Sequence, residues 1–156
     1  MRILVATGSS GGHIFPALSF LESLKESDKK LETLLVLPKA GIKPKVLPEG
    51  CNAEYISIKP IRLNLNSKSL IALFKLLQGS LESLILLLKF KPDIVVGFGS
   101  IGSLPMLFFA WVFRIKTLIH EQNVVPGRAN RLLAKFVDKV AVSFAQTRDY
   151  LKIDPR

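Results

Sequence analysis

The N-terminal stretch RILVATGSSGGHIFPAL, residues 2–18, decides the fold. Its first six residues form an apolar run that predicts a strand, and the helical spacing of apolar residues from Pro16 onward predicts a helix. The glycines and serines between them let the backbone turn sharply. The stretch therefore predicts strand, glycine-rich loop and helix, the opening unit of a Rossmann-like α/β domain.

The same alternation continues along the chain. Further strands are predicted at residues 33–37, 54–58, 94–97, 117–120 and 139–143. Their apolar runs are continuous, as in strands that helices cover on both faces, so we expect one doubly wound parallel sheet. Residues 38–50, rich in proline and glycine, are predicted to be an irregular connection with at most one helical turn, and residues 145–156 a short helix that stops at a proline.

Composition limits the class of protein. A chain of 156 residues with one cysteine and no apolar leader is expected to be a single domain in a reducing, cytoplasmic setting. The net charge of +10 favours anionic partners. Nucleic acid is not expected, because zinc-finger spacing, an RNP-type strand and a basic recognition helix are absent from the sequence. Charged residues interrupt both long apolar segments, so neither is expected to span a membrane.

The loop TGSSGGH, residues 7–13, predicts a phosphate site. Its glycines allow close approach of a ligand, and the following helix offers free N–H groups and the positive end of its dipole. The spacing matches neither the Walker pattern nor the GxGxxG fingerprint. His13 lies at the rim, where it could act as a base or donate a hydrogen bond to a phosphate.

Two further loops follow predicted strands. GFGSIG at residues 97–102 fits GxGxxG, so a domain that binds NAD, with Glu121 on the ribose, is one alternative, although the motif follows the wrong strand for it. HEQN at residues 120–123 places four polar side chains at the same edge of the sheet. We expect all three loops to meet at one cleft.

Residues 66–88 predict a long helix. One apolar face is expected to pack on the core, formed by residues at helical spacing: Leu70, Leu73, Phe74, Leu77, Leu81, Leu84 and Leu88. Cations surround the segment, with Glu82 as the one opposing charge: Lys59, Arg62, Lys68, Lys75, Lys89 and Lys91. This pattern suits either a helix on a membrane surface or a solvated helix.

Together these stretches resemble the MurG family of bacterial transferases. The matching segments are GSSGGHIFPAL from Gly8, KPDIVVGFGS at residues 91–100 and HEQNVVPGRANRLLAK at residues 120–135. Family members move N-acetylglucosamine from UDP-N-acetylglucosamine to lipid I, an undecaprenyl-diphosphate-linked acceptor, and form lipid II. They carry two Rossmann-like domains in the GT-B arrangement.

The resemblance covers only the N-terminal half of that arrangement. It implies that residues 1–150 are the acceptor-binding domain, that residues 151–156 begin an interdomain linker, and that the C-terminal donor-binding domain is absent. This chain alone is then not a complete enzyme. The second loop departs from the family pattern, which typically has two adjacent glycines and an aromatic residue there.

The resemblance also implies roles for individual residues. His13 is the first candidate for the base that takes the acceptor's proton, and Glu121 the second. The acceptor and its diphosphate are expected at Gly11, Gly12, His13, Gly99, Gly102, His120 and Gln122. UDP-N-acetylglucosamine is expected to approach Ser10, Gly11, Gly12 and Asn123.

By the same resemblance, an apolar patch faces the membrane at Leu70, Phe74, Leu77 and Trp111, ringed by Lys68 and Lys75. It implies a peripheral protein on the cytoplasmic face of the bacterial inner membrane, in contact with anionic lipid. No cofactor is expected. No catalytic metal is expected either, because His13 and His120 lie far apart in sequence without acidic or cysteine partners at ligand spacing.

Two other functions fit part of the pattern. One is a non-catalytic subunit that recruits a separate donor-domain partner to the membrane. The other is an NAD-binding oxidoreductase domain.

Overall fold

The computed structural model describes residues 1–58 and 67–151. Within these ranges the strands are β1 (Arg2–Ala6), β2 (Glu32–Pro38), β3 (Cys51–Ile56), β4 (Ile94–Gly97), β5 (Lys116–Glu121) and β6 (Lys139–Val142). The helices are α1 (Gly11–Ser27), α2 (Ser67–Phe90), α3 (Ser100–Val112), α4 (Arg128–Leu133) and α5 (Thr147–Leu151).

The described strands form one parallel sheet. Their order is β3-β2-β1-β4-β5-β6, and every neighbouring pair runs parallel. This is the Rossmann order, so the predicted fold class is confirmed. The order reverses between β1 and β4, and ligands of such sheets bind beside the carboxyl ends of the strands at this switch point.

Each face of the sheet is covered by helices. Leu4 and Ala6 of β1 pack with α2, α3 and α4 on one face, while Ile3 and Val5 pack with α1 on the other. Successive side chains of a strand point to opposite faces, so burial of both faces requires an unbroken apolar run. This explains why the strands read as continuous apolar segments.

The largest shift of a strand from its predicted position concerns β3. It begins at Cys51, three residues before the predicted start, because Cys51 pairs with Thr33 in the register of β2. Residues 39–50 contain no helix, as an irregular connection should. The last helix begins at Thr147 and is described to Leu151. The expected linker is residues 151–156, and apart from Leu151 it lies outside the described residues.

The prediction for the apolar face of α2 was wrong. Leu73, Phe74, Leu77, Leu81 and Leu88 are all exposed. Among the described positions of α2, the buried ones are instead Gly79, Ser83 and Leu87. A Cβ on Gly79 would lie 2.8 Å from the Ser57 carbonyl oxygen, so a small-residue face lets the helix approach β3 closely. The leucine-rich face is therefore left toward solvent.

Candidate functional site

A cleft of about 510 Å³ opens beside the carboxyl ends of β1, β4 and β5, at the switch point of the sheet. It lies between the N-terminal turns of α1, α3 and α4. Its lining residues are His13, Ser100, Ile101, Leu104, Gly127, Arg128, Ala129 and Leu132. The first predicted loop thus contributes His13, the second contributes Ser100 and Ile101, and the third contributes through the residues that follow HEQN.

The first and second loops touch each other at Gly8. A Cβ on Gly8 would lie 2.5 Å from the Cβ of Ser100 and 2.6 Å from Cδ2 of His13. No real side chain tolerates such distances, so this contact requires glycine. The close approach brings His13 and Ser100 to the same wall of the cleft.

The N-terminus of α1 offers donors to a ligand. The N–H groups of His13 and Ile14 both donate to the Ser10 carbonyl oxygen, at 3.0 and 3.1 Å. The N–H groups of Gly11 and Gly12 precede them in the first turn, where an α-helix has no internal acceptors. Gly12 is exposed with open space around it, and the Ser10 side chain makes no capping hydrogen bond. This turn is suited to bind an anion.

The second loop turns through two residues with positive φ. Gly99 has a φ of 78° and Ser100 a φ of 67°. The Ser103 hydroxyl donates to the Gly99 carbonyl at 2.9 Å and contacts the Ser100 carbonyl at 3.0 Å, which fixes the turn. Gly102 is buried beneath the cleft, where a Cβ would lie 2.6 Å from the Thr7 carbonyl oxygen. Gly102 therefore lets α3 pack against the end of β1.

His13 lies against the Gly99 turn. A Cβ on Gly99 would be 3.2 Å from Cε1 and 3.3 Å from Nδ1 of the His13 ring. The Nδ1 atom is buried and has no hydrogen-bond partner among the described residues. Nε2 is then the ring nitrogen that remains for a ligand in the cleft.

Glu121 is held in place by hydrogen bonds on both carboxylate oxygens. It is only 2% exposed. Oε1 accepts from the backbone N–H and the side-chain amide of Asn123, at 3.0 and 3.1 Å. Oε2 accepts from the N–H of Gly127 at 3.1 Å and from Nδ2 of Asn130 at 2.9 Å. The carboxylate thus closes the loop that carries Gly127 and Arg128 to the cleft.

The other residues of HEQN are not among the lining residues of the cleft. The His120 ring packs on Phe98, with centroids 5.3 Å apart, and its Nε2 lies 3.3 Å from the Ser143 hydroxyl. Burial lowers the pKa of His120, and the nearby Glu121 carboxylate only partly offsets this effect. Gln122 donates to the Phe98 carbonyl at 3.4 Å, and Asn123 is exposed.

Two residues of the site were missed in the sequence. Arg128 lines the cleft and makes no ion pair with any residue that the structure describes. Asn130 is buried and donates to both Glu121 and the His120 carbonyl, the latter at 3.2 Å. The sequence feature that could have identified Arg128 is its position directly after Pro126-Gly127, at the start of a helix. Asn130 carried no signal beyond its position in the same helix.

The described side chains of the expected membrane patch lie on α2 and α3. Phe74, Leu77 and Trp111 are exposed, and Lys75 donates to Gln78 at 3.0 Å. The side chains of Lys68 and Leu70 lie outside the described part of the chain, as do Lys59 and Arg62. Across residues 1–58 and 67–151, no helix is long and apolar enough to cross a membrane. The same ranges contain no cluster of three potential metal ligands.

Comparisons with known proteins identify the family. Residues 3–142 match the glycosyltransferase family 28 N-terminal domain. A relative from Finegoldia magna is 39% identical over 153 residues, which are 97% of this chain and 41% of the relative. One from Alkaliphilus oremlandii is 35% identical over 153 residues, or 97% of this chain and 42% of the relative. Both are named UDP-N-acetylglucosamine--N-acetylmuramyl-(pentapeptide) pyrophosphoryl-undecaprenol N-acetylglucosamine transferase.

Solved structures agree with this assignment. MurG from Acinetobacter baumannii superposes with a TM-score of 0.73 at 28% identity, covering 93% of this chain and 42% of that protein. A UDP-GlcNAc 2-epimerase from Neisseria meningitidis, bound to UDP-GlcNAc, has a TM-score of 0.62 over 97% of this chain and 43% of its own, and its 16% identity shows a shared fold alone. The fold is that of the N-terminal half of a GT-B glycosyltransferase.

The chain spans about two fifths of the length of the relatives that it matches. The resemblance to the MurG family is confirmed for this part. The chain belongs to the glycosyltransferase family 28 N-terminal domain family.

Proposed function

We propose that this chain is the acceptor-binding half of an inverting glycosyltransferase that moves N-acetylglucosamine from UDP-N-acetylglucosamine to lipid I, forming lipid II in peptidoglycan synthesis. The observation that carries the proposal is the cleft at the switch point, where the N-termini of α1 and α3 meet Arg128 and His13. The names of the relatives from Finegoldia magna and Alkaliphilus oremlandii support the same reaction.

The cleft suits a diphosphate. The N–H groups of Gly11 and Gly12 and the positive dipole ends of α1 and α3 all favour negative charge. Arg128 adds a guanidinium, which can bind two phosphate oxygens at once. We assign the diphosphate of the lipid acceptor to this wall of the cleft. The net charge of +10 favours the approach of such an anion.

His13 is the residue that we assign as the base. In the reaction, the acceptor's sugar hydroxyl attacks the anomeric carbon with inversion, its proton passes to Nε2 of His13, and UDP leaves with the electron pair of the broken bond. Glu121 fits this role less well, because four donors already engage its two oxygens. We assign Glu121 as a positioning residue that holds Gly127 and Arg128 at the cleft.

The donor is assigned to the outer rim. Ser10, Gly12 and Asn123 are exposed, so a UDP-sugar that is held by a second domain could reach them. Residues 1–150 would form the acceptor domain, and the chain after residue 150 would lead to the donor-binding domain. The exposed side chains of Phe74, Leu77 and Trp111 would hold the protein peripherally on anionic lipid at the cytoplasmic face of the inner membrane.

The NAD-binding alternative lacks its ribose ligand. Glu121, the acidic residue that it requires, is buried and fully engaged by hydrogen bonds. At the end of β2, where a Rossmann domain usually carries this acidic residue, stands Lys39, which pairs with Glu82 at 3.1 Å. Calorimetry with NAD tests the point, and we expect no binding.

The test of the proposal is a fusion. This chain is joined to the remaining, donor-side part of the Finegoldia magna relative, and transfer of N-acetylglucosamine to lipid I is assayed. We expect transfer, and we expect Arg128→Ala to raise the KM for lipid I about tenfold or more with little change in the KM for UDP-N-acetylglucosamine. Lys135→Ala, an exposed cation outside the cleft, is the control.

Two results would count against the proposal. A folded fusion that transfers no sugar contradicts the enzymatic function, and if it still binds anionic vesicles it favours the membrane-recruiting subunit instead. An Arg128→Ala effect on the UDP-N-acetylglucosamine KM alone would place the diphosphate of the donor, rather than that of the acceptor, at this wall.

A further inference from the structure

An apolar strip on α3 leads away from the cleft. It consists of Ile101, Leu104, Phe108 and Trp111, which follow one another at spacings of three or four residues and so share one face of the helix. Ile101 and Leu104 line the cleft, whereas Phe108 and Trp111 are exposed. At 1.5 Å per residue the strip is about 15 Å long. It connects the cleft with the apolar surface to which Trp111 belongs.

A second apolar wall faces this strip from α4 and the turn that follows it. Ala129 and Leu132 line the cleft opposite Ile101 and Leu104. Further along, the ring of Phe136 packs on Trp111, with centroids 5.3 Å apart. The two walls line the cleft at one end and meet at Trp111 and Phe136 at the other. We call this apolar surface the α3–α4 groove.

The core does not explain the exposure of these side chains. The buried face of α3 is formed by other residues, among them Gly102, Met106 and Ala110. Leu132 is 48% exposed, although the neighbouring Leu133 is completely buried. A contiguous exposed apolar surface of this kind marks a binding site more often than a solvated face.

We propose that the α3–α4 groove binds the first isoprenoid units of a prenyl diphosphate. The two ends of the groove select an amphiphile: the N-termini of α1 and α3 with Arg128 bind the diphosphate, and the aliphatic and aromatic walls bind the chain. This inference rests on the proposed function, since it assumes that the cleft takes the diphosphate of a lipid. It adds a chain-recognition subsite whose residues are Leu104, Phe108, Trp111 and Leu132.

The single tryptophan of the chain makes the groove measurable. Inorganic pyrophosphate and dimethylallyl, geranyl and farnesyl diphosphates are titrated against the 156-residue chain, while Trp111 emission and binding heat are recorded. We expect affinity to rise with chain length, by about tenfold or more from dimethylallyl to farnesyl diphosphate. We expect a blue shift of Trp111 emission with the farnesyl compound but none with the dimethylallyl compound, which is too short to reach it.

Variants separate the groove from the cleft. Leu132→Ser should abolish most of the gain from dimethylallyl to farnesyl diphosphate while pyrophosphate still binds. Leu88→Ser is the matched control, since Leu88 is 52% exposed on α2 and lies outside the groove. Phe108→Ser is a second groove variant and guards against a folding defect in the first.

The possible outcomes test the chain-binding groove separately from the proposed diphosphate site. Equal affinity across the prenyl series or unchanged Trp111 emission would overturn the groove while leaving the diphosphate cleft intact. Farnesol binding as tightly as farnesyl diphosphate would show that the diphosphate adds no affinity, and would overturn the prenyl diphosphate as the ligand together with the diphosphate cleft. If neither pyrophosphate nor any prenyl diphosphate binds, the proposed diphosphate site fails as well.

Discussion

Ser100 carries backbone strain at the wall of the cleft. Its φ of 67° lies in the left-handed region, where a Cβ crowds the backbone and glycine does not. No side-chain hydrogen bond of Ser100 to a described residue compensates for this conformation. The family pattern, with two adjacent glycines in this loop, fits a turn in which both Gly99 and Ser100 have positive φ.

Replacing Ser100 by glycine should therefore stabilise the chain. We expect Ser100→Gly to raise the free energy of unfolding by about 0.5–1 kcal/mol, because the native conformation becomes free of strain. Urea denaturation measures the change. Ser19→Gly, in the exposed interior of α1, should lower stability by a similar amount. If both variants lose stability, the turn at Ser100 is not strained.

A substitution at the buried carboxylate of Glu121 should instead lower the stability of the chain. Glu121→Gln replaces one acceptor oxygen by an amide that faces existing donors, so we expect a loss of about 2–3 kcal/mol in unfolding free energy. Glu22→Gln, on the exposed surface of α1, is the control and should change little. A variant of unchanged stability that has lost sugar transfer in the fusion would favour Glu121 as the base instead of a positioning residue.

These residues show which features of the site could be predicted from the sequence residue by residue. Glycine and histidine after a strand predicted that His13 and the start of α1 lie at the cleft, because strand, loop and helix follow one another in the sequence. The role of Glu121 was not predictable, since its donors Asn123, Gly127 and Asn130 come together only when the loop folds back on itself. Nor was the place of Arg128 in the cleft, since Arg128 directly follows Gly127, whose N–H donates to the Glu121 carboxylate.

At the scale of single elements, α2 shows that hydrophobic periodicity predicts a helix but does not decide which of its faces is buried. Its leucines have helical spacing, but two faces of the helix are apolar enough to be buried. The helix instead buries Gly79 and Ser83 against the end of β3, because these residues permit closer approach. Hydrophobic periodicity predicted the element and its length, whereas its orientation depended on packing against β3.

A polar cluster fixes this orientation of α2. The Glu82 carboxylate accepts from the backbone N–H and the hydroxyl of Ser57 and from Lys39 Nζ. Burial by itself would raise the pKa of Glu82, but these hydrogen bonds and the Lys39 charge hold the pKa below its ordinary value of 4.5. The ionised carboxylate therefore anchors the helix to the ends of β2 and β3.

The sign of the pH dependence follows from this lowered pKa. The stabilisation by Glu82 is fully present above its ordinary pKa of 4.5 and is lost as the pH falls through the lower value of the folded state. We expect the unfolding free energy to fall more steeply between about pH 5 and pH 3 in the wild type than in Glu82→Gln. Asp138, whose pKa is lowered by hydrogen bonds from Thr117, retains its own slope in both. Parallel curves for the two proteins would show that Glu82 is not an anchor.

Across the whole molecule, the order of the strands and helices could be predicted from the sequence, but the relative placement of the helices on the sheet could not. Alternating strands and helices predicted a doubly wound parallel sheet, because right-handed connections leave few other arrangements. The exposed apolar surfaces of α2 and α3 arise only when both helices pack on the same face of that sheet. With a net charge of +10, such a surface is suited to anionic lipid.

Binding to vesicles tests this surface. We expect the chain to bind vesicles that contain anionic lipid, more weakly as salt screens the charges, and the double variant Phe74→Glu and Leu77→Glu to bind about a hundredfold more weakly. Phe15→Glu is the matched control, because Phe15 on α1 is 61% exposed and Phe74 is 66% exposed. Since α1 covers the opposite face of the sheet, its variant should bind like the wild type. Equal loss in the control would mean that added negative charge alone weakens binding, and undiminished binding of the double variant would exclude this face of α2 as the membrane contact.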